Sequence, residues 1–100
     1  MDKFIIEDFS YLEKKANLLK AMAHPVRLCI LRGLSVKEEA QVSDMIHCLN
    51  IPQSTISQHV GILKKEGILK GRRNGINIYY SIANNEIKDL IKIILEELWK

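Results

Sequence analysis

The apolar residues of this chain recur at helical spacing up to about residue 66, alternate as in a strand over the next segment, and return to helical spacing at the end. Ser10 and Glu13 match a capping box, which predicts a first helix from Ser10 to about Ala23. His24-Pro25 should end that helix, because proline disfavours helical geometry in the residue before it and suits the first turn of a new helix. The second helix is apolar on most sides, so we expect it to be buried.

Two further helices follow a polar connection at residues 35–40. Val42, Met45, Ile46 and Leu49 recur at i, i+3, i+4 and i+7 and predict a short third helix. A fourth helix is predicted at about residues 53–66, and it ends at a glycine that can take the left-handed cap conformation. The side of this helix opposite its apolar stripe carries small hydrogen-bonding groups. An ordinary solvent-exposed side would carry a mixture of glutamate and lysine.

After residue 67 the pattern changes to alternation, with Ile76, Ile78, Tyr80 and Ile82 on one side of a strand, which predicts a β-hairpin. We expect strands at residues 68–73 and 76–82, joined by Asn74-Gly75, which is a strong signal for a two-residue turn. Arg72 and Arg73 would then lie at the tip. A last helix should be capped by Asn84 or Asn85, and its apolar stripe runs without a break to Leu98.

The order of these elements defines the fold class. It is mainly α with a small β-hairpin, in the order α-α-α-α-β-β-α, which is that of a winged helix-turn-helix. A chain of 100 residues has room for one core, so we expect a single domain over residues 1–100. Since 47% of the residues are hydrophobic and 27% are charged, the chain should fold. It contains no long apolar run and no export signal, so we predict a cytoplasmic protein without a membrane segment.

The positive charge of the chain is concentrated in one segment. Residues 50–85 contain five basic residues and one acidic residue, whereas residues 1–49 contain seven of each. Such a concentration is expected where a protein contacts phosphates, although a solvated run of charge would look the same. Short amide and hydroxyl side chains on the fourth helix suit the base edges of the major groove. The predicted contacts to double-stranded DNA are Gln53, Ser54, Thr55, Ser57, Gln58, His59, Lys64, Arg72 and Arg73.

Two other classes of function were weighed against DNA binding. A winged-helix module that binds protein without sequence-specific DNA binding would carry aromatic residues on the fourth helix, and residues 53–66 contain none other than histidine. An enzyme would need a nucleophile with its base, a phosphate-binding glycine loop, paired carboxylates or a set of metal ligands, and none occurs at usable spacing. We therefore predict a sequence-specific DNA-binding regulator and no enzyme.

Three stretches of the sequence resemble the ArsR/SmtB family of bacterial repressors. They are residues 19–28 (LKAMAHPVRL), residues 53–63 (QSTISQHVGIL), and the pair Gly67-Ile68-Leu69 and Tyr79-Tyr80-Ser81-Ile82. The resemblance covers about residues 12–95 and implies a homodimeric repressor on an imperfect inverted-repeat operator, released from DNA by a small inducer that the sequence does not identify. It also implies a dimer interface on the first and last helices. The candidate interface residues are Leu12, Leu90, Ile91, Ile94 and Leu98.

Members of that family often bind metals, so we compared the usual ligand positions. At the thiolate site of the third helix this chain has Gln41 and Ser43, which supply no thiolate. At the zinc site of the last helix it has Asn84 and Glu86, with Glu97 and Lys100 near the second pair and no histidine. We predict no metal at either site and no cofactor.

The two cysteines, Cys29 and Cys48, are the candidate sensor of the inducer. An inert core thiol is the simpler interpretation of Cys29, because free cysteines are among the most buried residues. Some relatives in the family respond to persulfides or oxidants through a cysteine pair. Our hypothesis is that Cys29 and Cys48 form such a thiol or redox switch.

Overall fold

The computed structural model describes residues 8–97, without the side chains of residues 46–49 and 96–97. Its elements are α1 (Phe9–Met22), α2 (Pro25–Lys37), α3 (Val42–Leu49), α4 (Gln53–Lys65), β1 (Leu69–Asn74), β2 (Asn77–Ile82) and α5 (Asn85–Lys92). A π-helix, Ile93–Glu97, continues α5. The order of elements confirms the predicted winged helix-turn-helix.

Side-chain caps fix the starts of three helices. His24 Nδ1 accepts a hydrogen bond of 3.1 Å from the backbone N–H of Val26, so the histidine before Pro25 caps α2 as a junction residue. Asn84 Oδ1 accepts one of 2.9 Å from Ile87 N–H and caps α5. The predicted cap of α1 is wrong, because Asp8, not Ser10, accepts the hydrogen bond from the first turn. Aspartate is one of the strongest N-cap residues, and the cap at Asp8 places the start of α1 two residues earlier than predicted.

The core surrounds α2, which packs against α1, α3, α4, α5 and β2. An apolar surface on several sides of α2 makes this possible, because Ile30, Leu31 and Leu34 are all buried. Ile56, Val60 and Leu63 bring the apolar stripe of α4 into the same cluster. The remaining buried apolar residues of the described chain are Ala21, Met22, Ala40, Met45, Ile68, Leu69, Ile82, Ile87 and Ile91.

The connection between α2 and α3 is shorter than predicted. Residues 35–37 belong to α2, and the buried Ser35 is accommodated because its hydroxyl donates to the carbonyl of Arg32 at 2.8 Å. Glu38 ends the helix with φ at +78°. The N–H of Glu39 donates to the carbonyl of Lys37 at 2.9 Å, which makes Glu38 the centre of a tight γ-turn that is strained for a residue with a side chain.

The hairpin turn lies one residue later than predicted. Asn74 and Asn77 form the last pair of the ladder, so Gly75 and Ile76 are the central residues. Gly75 has φ at +68°, and the first central residue of a two-residue hairpin turn requires such a positive φ. Asn74, which was predicted in the turn, belongs to β1. Beyond the hairpin, Ala40 pairs with Tyr80 through two backbone hydrogen bonds of 3.0 and 2.8 Å. The α2–α3 connection thereby holds the outer edge of β2.

The final helix departs from the predicted unbroken stripe. Its α-helical part ends at Lys92, and the wider π-helical turn begins at Ile93. Ile91 was expected at a subunit interface, but it is 1% exposed and lies in the core of its own chain. It therefore has almost no surface to offer a partner. Leu98 lies outside the described residues.

Candidate DNA interface

The exposed side of α4 carries the polar residues that the sequence predicted for base contacts. Ile56, Val60 and Leu63 anchor the opposite side of the helix in the core. Their spacing leaves Gln53, Ser54, Ser57, Gln58 and Lys64 exposed, with Thr55 half-buried. Hence six of the predicted contacts lie on surface that DNA could reach.

His59 is the exception on α4, because it packs against the rest of the protein. Its Nδ1 accepts a hydrogen bond of 3.1 Å from Nε of Arg27, and its ring lies 4.5 Å from that of His24 between centroids. Burial is the main reason that the pKa of His59 is lowered, and the charges of His24 and Arg27 lower it further. His59 is only partly buried, so its role as a DNA contact stays a prediction, while its Nδ1 and one side of its ring contact α2 and the α1–α2 junction.

A groove of about 300 Å³ lies between α4 and the hairpin, and its lining is a mixture of polar and apolar residues. Gln53 and Ser57 of α4 line it, together with Asn77, Ile78 and Tyr80 of β2 and with residues 41–43 at the start of α3. Gln41 and Ser43 were considered in the sequence only as metal positions. Amide and hydroxyl groups of two helices thus lie at one groove beside the hairpin.

The two arginines of the hairpin project to opposite faces, because side chains alternate along a strand. Arg73 pairs with Ile78, and Gly71 pairs with Tyr80. The face of the hairpin that carries Arg73 therefore also carries Ile78 and Tyr80, which line the groove beside α4. Arg72 pairs with Tyr79 and projects from the other face. The sequence analysis treated the two arginines as one basic tip, and the alternation corrects this.

Arg72 is held by a carboxylate from the α2–α3 connection. Its Nε donates to Glu39 Oε2 at 3.0 Å and its Nη2 donates to Glu39 Oε1 at 2.9 Å, so the pair is bidentate. The guanidinium also lies 4.9 Å from the centre of the Tyr79 ring. The hydrogen bonds and charge of Arg72 lower the pKa of Glu39, and those of Glu39 raise the pKa of Arg72. Glu39 was missed in the sequence because it is 33 residues from its partner.

An exposed apolar stripe runs along α1. Phe9, Leu12 and Leu19 share one face at helical spacing, and they are 64%, 39% and 52% exposed. At the other end of the chain, Ile93 is 53% exposed, and Leu90 and Ile94 are half-buried against the core. Thus Leu12, Leu90 and Ile94 keep surface that a partner could cover.

Cys29 is half-buried and lines a small cavity of about 110 Å³ between α2 and α3, together with Met45 and Asp44. The side chain of Cys48 lies outside the described residues. In the described part of the chain, no three His, Cys, Asp or Glu residues lie close enough to hold a metal ion. Within residues 8–97, no helix combines the length and the apolar character needed to cross a membrane.

A short helix, an exposed helix and a hairpin beside them define the class of winged helix-turn-helix proteins, and the comparisons agree. A family described as a helix-turn-helix domain matches residues 22–72. The transcriptional repressor PagR of Bacillus anthracis is 41% identical over 87 residues, 87% of each chain. Its crystal structure has a TM-score of 0.79 and covers 87% of this chain and 99% of that one.

Two further relatives identify the family. The repressor SmtB of Mycobacterium tuberculosis is 32% identical over 80% of this chain and 58% of its own length. A Mycobacterium bovis domain, described as homodimeric and as possibly an ArsR-family regulator, is 28% identical, with a TM-score of 0.80 over 89% of this chain and 83% of that one. This chain belongs to the ArsR/SmtB family of winged helix-turn-helix regulators. It is a DNA-binding transcriptional regulator and not an enzyme.

Proposed function

We propose that this protein is a homodimeric repressor that binds an imperfect inverted repeat in double-stranded DNA. One observation carries the proposal: Gln53 and Ser57 on the exposed side of α4 border the same groove as the hairpin. The major groove is about 12 Å wide and admits one helix, so α4 can enter it while the hairpin reaches the adjacent backbone. The protein would act in the cytoplasm, where such operators are accessible.

Each exposed residue of α4 and the hairpin has a role in this arrangement. Ser57 and Gln58 read base edges, because hydroxyl and amide groups match the donors and acceptors of the major groove. Lys64 and Arg73 contact phosphates, which fixes the register of the protein on the duplex. Arg72 contacts a phosphate only after it leaves Glu39.

The second subunit is supported by the apolar surface that α1 and the last helix leave uncovered. Leu12, Leu90 and Ile94 are the candidate interface residues that keep exposed surface, and Phe9 and Leu19 extend the patch on α1. Covering this patch would favour a dimer, because exposed apolar area is costly in water. Two recognition helices related by a twofold axis would then lie about 34–36 Å apart and meet successive major grooves.

Our hypothesis for the small inducer is a thiol-reactive or oxidising signal that acts at Cys29 and Cys48. Cys29 supports it in part, since it is half-buried beside a cavity and so is reachable by a small molecule. We expect oxidant or polysulfide to weaken DNA binding of the wild-type protein. If the double variant Cys29→Ser, Cys48→Ser still loses its DNA on the same treatment, the cysteines are not the switch.

Selection of bound duplexes from a random pool tests the main proposal. The selected duplex should contain an inverted repeat, and Gln58→Ala should weaken binding to it by about 1–3 kcal/mol while random duplex is bound as before. Asn85→Ala, an exposed amide at the start of α5, is the matched control and should change neither affinity. No enrichment of any sequence would favour a module that binds protein instead.

A further inference from the structure

Arg27 joins three helices at one point. Its Nη1 donates to the carbonyl of Ala21 at 3.0 Å, in the last turn of α1, and its Nε donates to His59 Nδ1 on α4 at 3.1 Å. Arg27 itself belongs to the first turn of α2. The carbonyl of Ala21 would otherwise be one of the unpaired acceptors at a helix end, so the guanidinium satisfies it and faces the negative end of the helix dipole.

The bond to His59 exists only while Nδ1 of that histidine is unprotonated. An Nε–H of arginine is a donor, so it needs a lone pair on the ring nitrogen, and a protonated imidazole has none. Protonation would replace this hydrogen bond by repulsion between two cations. It would also place a third group, His24, beside two positive charges.

The side chains that the structure places against the His59 ring carry no negative charge. His24 faces it from the α1–α2 junction and Arg27 faces it from α2. Among the described side chains, no carboxylate lies within ion-pair distance of the His59 ring. Burial, together with these two neighbours, lowers the pKa of His59, which agrees with a ring that is neutral when the contact is made.

The contact bears on DNA because of where His59 lies on α4. It follows Gln58 directly and is one turn beyond Thr55, between the buried stripe and the exposed polar face. Apolar packing of Ile56, Val60 and Leu63 holds the helix down but is weakly directional. The hydrogen bond from Arg27 is directional, and it adds a restraint at the edge of the polar face, next to Ser57 and Gln58.

We propose that Arg27 and neutral His59 form a positioning contact for the recognition helix, and that protonation of His59 breaks it and weakens specific DNA binding. The inference rests on the proposed function, since its readout is affinity for the selected duplex. In this role both residues act by positioning Ser57 and Gln58.

The test compares operator affinity with the titration of the ring. The affinity of the wild-type protein for the selected duplex should fall by about two- to fivefold between pH 7.5 and 5.5 and further below that, with a midpoint that matches the His59 titration followed by NMR. His59→Asn keeps an acceptor near the position of Nδ1 but does not titrate, so it should bind like wild type at pH 7.5 and lose the midpoint. Arg27→Met should bind weakly at both values of pH.

A third variant separates this contact from a general loss of fold. His24→Asn keeps the cap on α2 and removes the neighbouring imidazole that contributes to the lowered pKa of His59, so the midpoint should move to higher pH. A wild-type affinity that does not change with pH, or the same pH dependence in His59→Asn, would overturn the positioning contact while leaving the regulator intact. Failure to bind any duplex at any pH would overturn both.

Discussion

Replacing Glu39 by glutamine should strengthen DNA binding. The carboxylate of Glu39 holds Arg72 in a bidentate ion pair at 2.9 and 3.0 Å, on the hairpin that we place against the phosphate backbone. A phosphate must therefore compete with Glu39 for the same guanidinium. Glutamine keeps the size of the side chain and removes the charge, so the competition becomes weaker.

The size of the effect follows from the exposure of the pair. The side chains of Arg72 and Glu39 are 55% and 40% exposed, and water and salt screen ion pairs at such positions. Breaking one typically changes an equilibrium by about two- to fivefold, so affinity should rise by that factor for the operator and for random duplex alike. The slope of log affinity against log salt should become steeper by at most about 0.9, the value of one phosphate contact, because Arg72 already competes for that phosphate in the wild type.

Fluorescence anisotropy with both duplexes over a series of salt concentrations measures both quantities. Glu38→Gln is the matched control, because it removes the same charge one residue away, where the carboxylate pairs with Lys88 at 3.0 Å. In an Arg72→Ala background, Glu39→Gln should have no further effect. The reasoning is refuted if Glu39→Gln weakens binding, or if the gain is the same with alanine at position 72.

Three other predictions follow from the same geometry. Leu90→Asp or Ile94→Asp should split the dimer and sharply lower operator affinity, as analytical ultracentrifugation and anisotropy would report; a monomer that binds normally contradicts the interface. Arg73→Ala should lower the salt slope by about 0.9, and an unchanged slope moves the phosphate contact elsewhere. Gly71→Val should lower the free energy of unfolding, measured by denaturant titration, by about 1–3 kcal/mol, because its Cβ would lie 3.2 Å from Ile78 and 3.3 Å from Tyr80. Gly33→Ala is the control: a Cβ there would have no neighbouring side chain within 4 Å, so the same titration should show no destabilisation.

The elements could be predicted from the sequence because each has a strong local signal. Pro25 marks the start of α2, Gly67 marks the end of α4, and the apolar spacing of α4 separates the buried stripe from the polar face. The errors at boundaries arise where two local signals compete. Asp8 and Ser10 are both good caps, and Asn74-Gly75 and Gly75-Ile76 both place a glycine in the turn.

The contacts of the site could not be predicted in the same way. His59 lies at the edge of the polar face of α4, and only the fold brings Arg27, 32 residues earlier, to its ring. Pairing of Arg72 with Glu39 spans 33 residues and has no local signal. The opposite directions of Arg72 and Arg73 were, however, implied by the strand itself, since neighbouring side chains in a strand always alternate.

The α2–α3 connection links the last helix to the hairpin through three consecutive residues. Glu38 pairs with Lys88 of α5, Glu39 with Arg72 of β1, and Ala40 with the backbone of Tyr80. The γ-turn at Glu38 sets the directions of both carboxylates, because a positive φ there turns the chain back after α2. The hairpin is therefore held at both strands by a connection that is distant from them in sequence, in addition to its direct chain links to α4 and α5.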